Sequence, residues 1–147
     1  MTKKKPMKNI AIALISRSNP QNGQEEYLLV KSKKNFDQYT GFFYPPGGHM
    51  KAGEDEKQTL QREIKEELNL HIEPLEKIAQ SPTDTKDTMA HWWKCQIISG
   101  KIRIRKTEIS EAGYYSRKEI KKMNIWPATK KIFDQYIFPR NTPFNCK

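Results

Sequence analysis

The sequence predicts a mixed α/β fold, of the α+β kind, and three observations lead to that expectation. Short apolar runs of strand length alternate with turn residues along most of the chain. A central segment repeats its apolar residues at the helical period of about 3.6 residues, and a second helical pattern lies near the end. This order of strands, a central helix, more strands and a terminal helix is typical of helices packed on a sheet.

The first part of the chain predicts a hairpin followed by a sharp turn. Residues 9–16 form an apolar run typical of a buried strand, and residues 27–31 return after the turn residues of 19–23. Residues 42–44 predict a short strand that ends at the Pro-Pro-Gly-Gly run of 45–48. Proline cannot donate to a strand ladder and glycine permits unusual backbone angles, so we expect the chain to turn there.

Residues 55–68 form the strongest predicted helix. Leu60, Ile64 and Leu68 recur once per turn on one face, which indicates the buried side of the helix. Acidic residues crowd the first turn, where the helix dipole favours negative charge. Asn69 follows the last turn and tolerates the left-handed conformation that ends many helices.

Further elements are predicted after the central helix. They are strands over residues 72–79, 88–99, 101–105 and 112–115, a helical turn over 117–123 and a helix over 128–138. Residues 101–105 alternate isoleucine with basic residues, which predicts a half-exposed strand with a basic outer face. Pro127 suits the first position of the terminal helix, because its missing N–H has no partner there in any case.

Composition and charge bound the function classes. The chain has 147 residues, 35% of them hydrophobic, and a net charge of +10, which fits one domain over residues 1–147. No apolar run approaches the roughly 20 residues of a membrane span, and the run of residues 10–15 is too short for a secretory signal. We therefore expect a cytoplasmic protein with no membrane partner. The two cysteines, Cys95 and Cys146, make neither a disulfide framework nor a metal site.

The charges are unevenly placed along the chain. Residues 48–70 hold six acidic and four basic side chains, whereas the rest of the chain holds 11 acidic and 23 basic ones. A basic protein with one acidic helix favours an acidic partner, and nucleotides, nucleic acids and anionic membrane surfaces share that sign.

Three carboxylates on the central helix are candidates for a metal site. Glu63, Glu66 and Glu67 stand at i, i+3 and i+4, so they lie close together on the helix surface. A divalent cation between them would relieve their repulsion, and oxygen ligands without histidine or cysteine favour Mg²⁺ or Mn²⁺. A solvated acidic face explains the helix alone equally well. Gly47 and Gly48 ahead of the helix favour the metal, because glycine lets the backbone approach a metal–phosphate pair closely.

These residues resemble a known motif. Gly48, Glu54 and the run of residues 62–70 resemble the Nudix box, G-x5-E-x7-R-E-U-x-E-E-x-G-U, where U is a bulky aliphatic residue. The match departs at one fixed position, where Asn69 replaces glycine, and Asn is the next-best residue for a left-handed helix end. Pro45 stands where the family often has an apolar or aromatic residue. The order of elements also suits the family's α/β/α sandwich around a mixed β-sheet.

The resemblance to Nudix (MutT-like) hydrolases implies a reaction and the residues that perform it. Family members hydrolyse a pyrophosphate linkage in a nucleoside diphosphate joined to a further group. The implied roles are divalent-metal ligands at Glu63, Glu66 and Glu67, a further ligand at the Gly48 carbonyl, and a supporting pair of Arg62 with Glu54. Metal ions would neutralise the phosphate charge that repels the nucleophile and activate a water molecule.

The resemblance does not specify which residue is the general base or which residues bind the nucleobase. Glu67 is one candidate for the base, and Glu108 and Glu111 are the carboxylates of a later loop. Gly47 and Gly48 are expected to face the phosphates. The aromatic residues that could stack on a nucleobase are Phe36, Tyr39, Phe42, Phe43, Trp92, Trp93 and Trp126. Strand alternation puts Trp93 on the side of Cys95 and hence in the core, so Trp92 and Phe43 are the preferred candidates.

Several functions fit these expectations. The leading hypothesis is a Mg²⁺-dependent pyrophosphohydrolase that converts (oxidised) nucleoside triphosphates to monophosphates and pyrophosphate. The triphosphate end of RNA, dinucleoside polyphosphates and ADP-ribose are alternative substrates. A non-catalytic nucleic-acid-binding module is the alternative from another class, with a phosphate-tracking patch over residues 101–106 and 117–122. Both a monomer and a homodimer are compatible with the sequence.

Overall fold

A mixed β-sheet forms most of the fold. The structure is a computed structural model that describes residues 7–139, so Cys146 lies outside the described residues. The strands are β1 (Lys8–Ser18), β2 (Glu25–Ser32), β3 (Phe43–Tyr44), β4 (Gly47–His49), β5 (His71–Pro82), β6 (Thr88–Ser99) and β7 (Ile109–Ser116). The helices are α1 (Glu56–Leu68), α2 (Arg117–Ile120) and α3 (Pro127–Ile132), and α3 continues as a π-helical turn over Phe133–Ile137. The predicted hairpin, central helix and terminal helix are confirmed. None of the described helices has the length and apolar character needed to cross a membrane.

The central strand β1 brings the glycine run into the middle of the sheet. The strand order is β3-β2-β1-β6-β5, with β1 and β6 parallel and β7 paired with β2. One edge of β1 is divided between two partners, since residues 10–12 pair with β4 and residues 16–18 pair with β2. The strand that carries Gly47 and Gly48 therefore lies directly beside the most central strand of the fold.

Helices cover both faces of this sheet. Ala11, Ala13 and Ile15 of β1 pack in one apolar cluster with the buried face of α1. Ile12 and Leu14 pack in a second cluster with the region of α2, α3 and the π-helical turn. Burial on both faces explains why β1 is a continuous apolar run rather than an alternating one, and it confirms the expected α/β/α sandwich.

Both ends of α1 are held by specific contacts. The Asp55 side chain accepts the Gln58 N–H at 2.8 Å while the Gln58 side chain accepts the Asp55 N–H at 2.9 Å, which is a complete capping box. Asn69 ends the helix with φ 60°, the left-handed conformation expected for the residue that replaces glycine. The register of the helix, and with it the direction of its carboxylates, is thereby defined.

The strand predicted over residues 101–105 is wrong. The N–H groups of Arg103 and Arg105 donate instead to the carbonyls of Leu68 and Glu67, each at 2.9 Å. The last carbonyls of a helix lack partners within the helix, so an extended segment beside them satisfies both sets of groups. The basic side chains of this segment are exposed, as predicted, while Ile104 packs against the core on the α1 side.

Candidate active site

A cleft of about 380 Å³ joins the predicted motif to residues from distant parts of the chain. One part of its wall holds Gly47, Gly48 and the carboxylates of Glu63, Glu67 and Glu108. The cleft is also lined by Ser32, Lys34, Phe36, Tyr44, Trp92 and Trp126. The cleft therefore combines a group of acids with aromatic walls, an arrangement that suits a ligand with both phosphates and a ring.

Glycine is required where β4 meets α1. A Cβ on Gly48 would lie 2.5 Å from Oε2 of Glu63, well inside van der Waals contact. A Cβ on Gly47 would overlap the carbonyl oxygen of Ala11 in the neighbouring strand. The two glycines thus allow the strand to approach both β1 and the carboxylate helix.

Arg62 organises the acidic side of α1. Its guanidinium donates to Glu54 Oε1 at 2.9 Å, to Glu63 Oε1 at 2.8 Å, to Glu66 Oε1 at 3.2 Å and to the His49 carbonyl at 3.1 Å. The hydrogen bond from Arg62, with one from the backbone, lowers the pKa of Glu54 to about 2. The hydrogen bonds that Arg62 donates to Glu54 and Glu63 raise the pKa of Arg62 above its usual value. The structure therefore brings Arg62 and Glu54 together, and it joins them to two of the proposed ligands.

Glu67 and Glu108 form a pair of neighbouring acidic side chains. Burial raises the pKa of Glu67 well above its usual range, and the charge of Glu63 and hydrogen bonding with Glu108 raise it further. Glu108 is brought there by its backbone, whose carbonyl accepts the Lys33 N–H at 2.9 Å. The ion pairs formed by the described residues involve neither Glu67 nor Glu108. A buried acid of this kind needs either a proton or a cation as its partner.

The donor atoms fit a hard divalent cation by their chemistry. Among residues 7–139, no three acidic, histidine or cysteine side chains stand in an arrangement that holds a metal ion. The bonds from Arg62 account for part of this, because they turn Glu63 and Glu66 toward the guanidinium. The donors of the motif are carboxylate or backbone oxygens, which suit Mg²⁺ or Mn²⁺, and Glu67 forms no ion pair with a basic side chain of residues 7–139.

Tyr44 is a cleft residue that the sequence reasoning missed. Burial raises the pKa of its hydroxyl to about 12; a hydrogen bond with Ser32 opposes this rise, and the charges of Glu67 and Glu108 add to it. The sequence reasoning had favoured Phe43, which is absent from the cleft wall and packs edge to face on Tyr115 with ring centroids 5.4 Å apart. Alternation along the short strand β3 puts Tyr44 on the side opposite Phe43, but the sequence carried no signal for which of the two sides borders the cleft.

The expected accessibility of Trp92 is wrong. Its side chain is only 1% exposed, and its indole N–H donates to Ser81 Oγ at 3.1 Å. Trp93 faces the α1 side as expected but is only half-buried, and its N–H donates to Glu56 at 2.8 Å. The physical reason is that α3 covers the face that looked free in the sequence. Trp92 contributes to the cleft as part of its floor rather than as a free stacking surface.

Aromatic side chains from two loops form a cluster beside the cleft. Trp126 packs on Phe36 with ring centroids 5.2 Å apart and on Tyr39 at 4.7 Å, and both Trp126 and Phe36 line the cleft. Glu111, the second loop carboxylate considered above, is exposed and pairs with Lys31 at 3.2 Å outside the cleft. Glu108 is therefore the loop carboxylate that the structure places with the motif.

The sequence matches the family model described as "NUDIX domain" over residues 7–136. It is 45% identical over 51 residues to the 8-oxo-dGDP phosphatase NUDT18 of Homo sapiens, a match that covers 35% of this chain and 15% of that protein. It is 26% identical over 91 residues to the NAD-capped RNA hydrolase NudC of Haemophilus influenzae, covering 62% of this chain and 34% of that protein. The chain thus spans well under half the length of these two relatives.

The fold also has close counterparts among solved structures. The crystal structure of a NUDIX hydrolase from Nitrosomonas europaea superposes with a TM-score of 0.78, at 20% identity, covering 95% of this chain and 74% of that one. At this level of identity the likeness shows a shared fold.

Proposed function

Because the chain belongs to the NUDIX domain family, we propose that it is a divalent-metal-dependent pyrophosphohydrolase of nucleotides. The observation that carries the proposal is the cleft itself, which Glu63 and Glu67 of the motif line together with Glu108 and two glycines. Phosphates beside the acids would leave the attached ring near Phe36 and Trp126. One cavity then accommodates both halves of a nucleotide.

The proposed ligands of the cation are Glu63, Glu66 and Glu67, with the Gly48 carbonyl as an additional donor. A bound divalent cation would neutralise phosphate charge and lower the pKa of a bound water molecule. Arg62 would hold Glu63 and Glu66 in their orientation through the two bonds it already makes. Glu66 is the most exposed of these side chains, at 42%, and unlike Glu63 and Glu67 it does not line the cleft.

Glu67 and Glu108 are the two carboxylates proposed to take the proton of the attacking water. Both line the cleft, and they lie within hydrogen-bonding reach of each other. Two variants distinguish them. If Glu108 is the base, Glu108→Gln lowers kcat and leaves the affinity for Mn²⁺ near that of the unchanged protein. Glu67→Gln should lower both quantities, because Glu67 is also a proposed ligand.

We infer that the substrates are (oxidised) nucleoside triphosphates, cleaved to monophosphate and pyrophosphate. A cavity of about 380 Å³ falls in the size range of single small-molecule ligands. The similarity to a protein named as an 8-oxo-dGDP phosphatase supports an oxidised purine base in the substrate.

A substrate panel with Mg²⁺ or Mn²⁺ tests the proposal. The panel contains normal and oxidised nucleoside triphosphates, a dinucleoside polyphosphate and ADP-ribose, and both phosphate and pyrophosphate release are measured. Pyrophosphate release from triphosphates that is lost in Glu67→Gln is the expected result. Folded protein that turns over no member of the panel overturns the proposal. Mg²⁺-independent RNA binding in that case would instead support a non-catalytic nucleic-acid-binding module.

A further inference from the structure

We propose that the Tyr44 hydroxyl donates a hydrogen bond to a phosphoryl oxygen of the bound nucleotide. The inference rests on the pyrophosphohydrolase function proposed above, and it adds a catalytic residue from outside the motif of residues 48–70. Tyr44 lines the cleft together with Glu67 and Glu108, and the charges of both carboxylates act on its hydroxyl. The phenolic oxygen therefore lies at the end of the cleft where the metal and the phosphates are proposed to bind.

Contacts on both sides of Tyr44 hold its ring in place. Its backbone pairs with Val30 of β2, and its ring packs against the apolar cluster between α1 and the sheet. The next residue, Pro45, is fully buried, and the Pro46 carbonyl accepts the Ala13 N–H at 2.9 Å. The hydroxyl is thus positioned before a ligand arrives, so little conformational entropy is lost when it forms a contact.

The hydrogen of the Tyr44 hydroxyl is available to a ligand. Ser32 Oγ accepts the Lys34 N–H at 3.0 Å and lies 3.5 Å from the Glu108 carbonyl oxygen. The second distance exceeds the range of about 2.5–3.0 Å typical of hydroxyl donors, so the Ser32 hydrogen can go to the Tyr44 oxygen instead. The hydrogen bond with Ser32 opposes the rise that burial causes in the pKa of Tyr44, as a bond donated to the phenolic oxygen does. Tyr44 then keeps its own hydrogen for the cleft.

A neutral donor suits this position better than a cation would. A lysine or arginine beside Glu67 and Glu108 would pair with them and compete with the metal, whereas a phenol contacts a phosphoryl oxygen and leaves the carboxylates their charge. Burial raises the pKa of Tyr44 to about 12, so the hydroxyl keeps its hydrogen at neutral pH. The ordinary alternative is a hydroxyl that only supports the fold through Ser32. That role would make Tm depend on the hydroxyl and leave nucleotide affinity unchanged.

The test compares two variants that each remove one phenolic hydroxyl and keep the ring. Tyr44→Phe removes the hydroxyl in the cleft. Tyr115→Phe is the matched control, because the Tyr115 hydroxyl donates to Glu111 at 3.3 Å and Tyr115 is absent from the cleft wall. Four quantities are measured for each protein: kcat/KM for a nucleoside triphosphate with Mg²⁺, the affinity for the α,β-methylene analogue of that triphosphate, the affinity for Mn²⁺ alone, and Tm.

The expected result is a loss confined to the nucleotide. A hydrogen bond to a charged group corresponds to about 10- to 10²-fold in an equilibrium constant. Tyr44→Phe should therefore lower kcat/KM and weaken binding of the analogue by about 10- to 10²-fold. Its Tm and its affinity for Mn²⁺ should stay close to those of the unchanged protein, and Tyr115→Phe should change none of the four quantities appreciably.

Three results overturn the inference. They are kcat/KM and analogue affinity that Tyr44→Phe leaves unchanged, an equal loss in both variants, or a fall in kcat with unchanged affinity for the analogue. The last result would mean that the hydroxyl orients the carboxylates and does not touch the phosphates.

The binding measurement separates this inference from the proposed function. Analogue binding that weakens in Tyr44→Phe, in a protein that turns over no nucleotide, supports the contact and refutes the hydrolase. Turnover of nucleoside triphosphates that is the same in the unchanged protein and in Tyr44→Phe refutes the contact alone.

Discussion

Gly47 and Gly48 are neighbours in β4, yet an alanine at each should damage a different property of the protein. At Gly48 the new Cβ would lie 2.5 Å from Oε2 of Glu63, the flexible end of a side chain proposed as a metal ligand. At Gly47 it would overlap the Ala11 carbonyl oxygen and lie 2.9 Å from the Cα of Ile12, in the backbone of the central strand. We therefore expect Gly48→Ala to impair activity and Gly47→Ala to impair folding.

The distances set the size of both effects. An ordinary contact to a Cβ begins at 3.4 Å, so the Glu63 carboxylate must withdraw by about 0.9 Å in Gly48→Ala. A misplacement of about 1 Å in a catalytic group costs about 10²-fold in rate. The backbone of β1 is paired on both sides and cannot withdraw in the same way. Overpacking of this kind typically destabilises by about 1–3 kcal/mol, so Gly47→Ala should lower Tm measurably.

Thermal unfolding and kcat/KM, measured on the same preparations with saturating Mg²⁺, separate the two outcomes. Gly48→Ala should keep a Tm close to that of the unchanged protein while kcat/KM falls about 10²-fold. Full activity in Gly48→Ala would refute the placement of Glu63 at the reaction site. An equal fall of Tm in both variants would refute the distinction between side-chain and backbone contact.

Four further outcomes follow from the same contacts. Glu67→Gln should abolish hydrolysis without lowering Tm in EDTA at neutral pH, because burial raises the pKa of Glu67 to about 8 and the neutral amide then replaces a protonated carboxyl of similar shape; retained activity contradicts its role. Hydrogen bonds from Arg62 and from the backbone hold the pKa of Glu54 at about 2, so its stabilising contribution is complete above the usual pKa of a glutamate and is lost as pH falls toward 2. Glu54→Gln should flatten acid unfolding in that window, whereas Glu76→Gln, at an exposed position, should not. Asn69→Ala should destabilise by about 1 kcal/mol, since φ is 60° there, and Asn69→Gly should be close to neutral in urea unfolding. Chelation by EDTA should abolish turnover, and Mg²⁺ or Mn²⁺ should restore it; activity that survives chelation contradicts the metal requirement.

The features that the sequence predicted well depend on contacts close in the chain. The hairpin of β1 and β2, the face of α1 and the left-handed Asn69 follow from periodicity, turn residues and helix ends. The pairing of Arg62 with Glu54 could also be expected, because both residues belong to one motif. Local spacing carries this information because a helix converts separations of three or four residues into contacts.

The predictions that failed concern which distant segment covers which surface. The segment of residues 101–105 has the alternation of a strand, but the open carbonyls at the end of α1 take its N–H groups. Trp92 looked accessible because strand alternation separates two faces without showing that helices cover both. The prediction of Phe43 as a cleft residue is wrong for the same reason, since alternation shows that Phe43 and Tyr44 face opposite sides but not which side borders the cleft.

The sequence by itself determined which groups the motif holds together: Glu63 with Glu66 and Glu67 one helical turn on, the arginine beside them and the glycines that precede them. The tertiary structure alone decided which other residues join them. Glu108 reaches Glu67 across 41 positions of the chain, and Lys34 and Tyr44 approach the same cleft from other segments. Such contacts depend on strand order and on burial of both sheet faces, which are settled by the packing of the whole chain rather than by spacing within one segment.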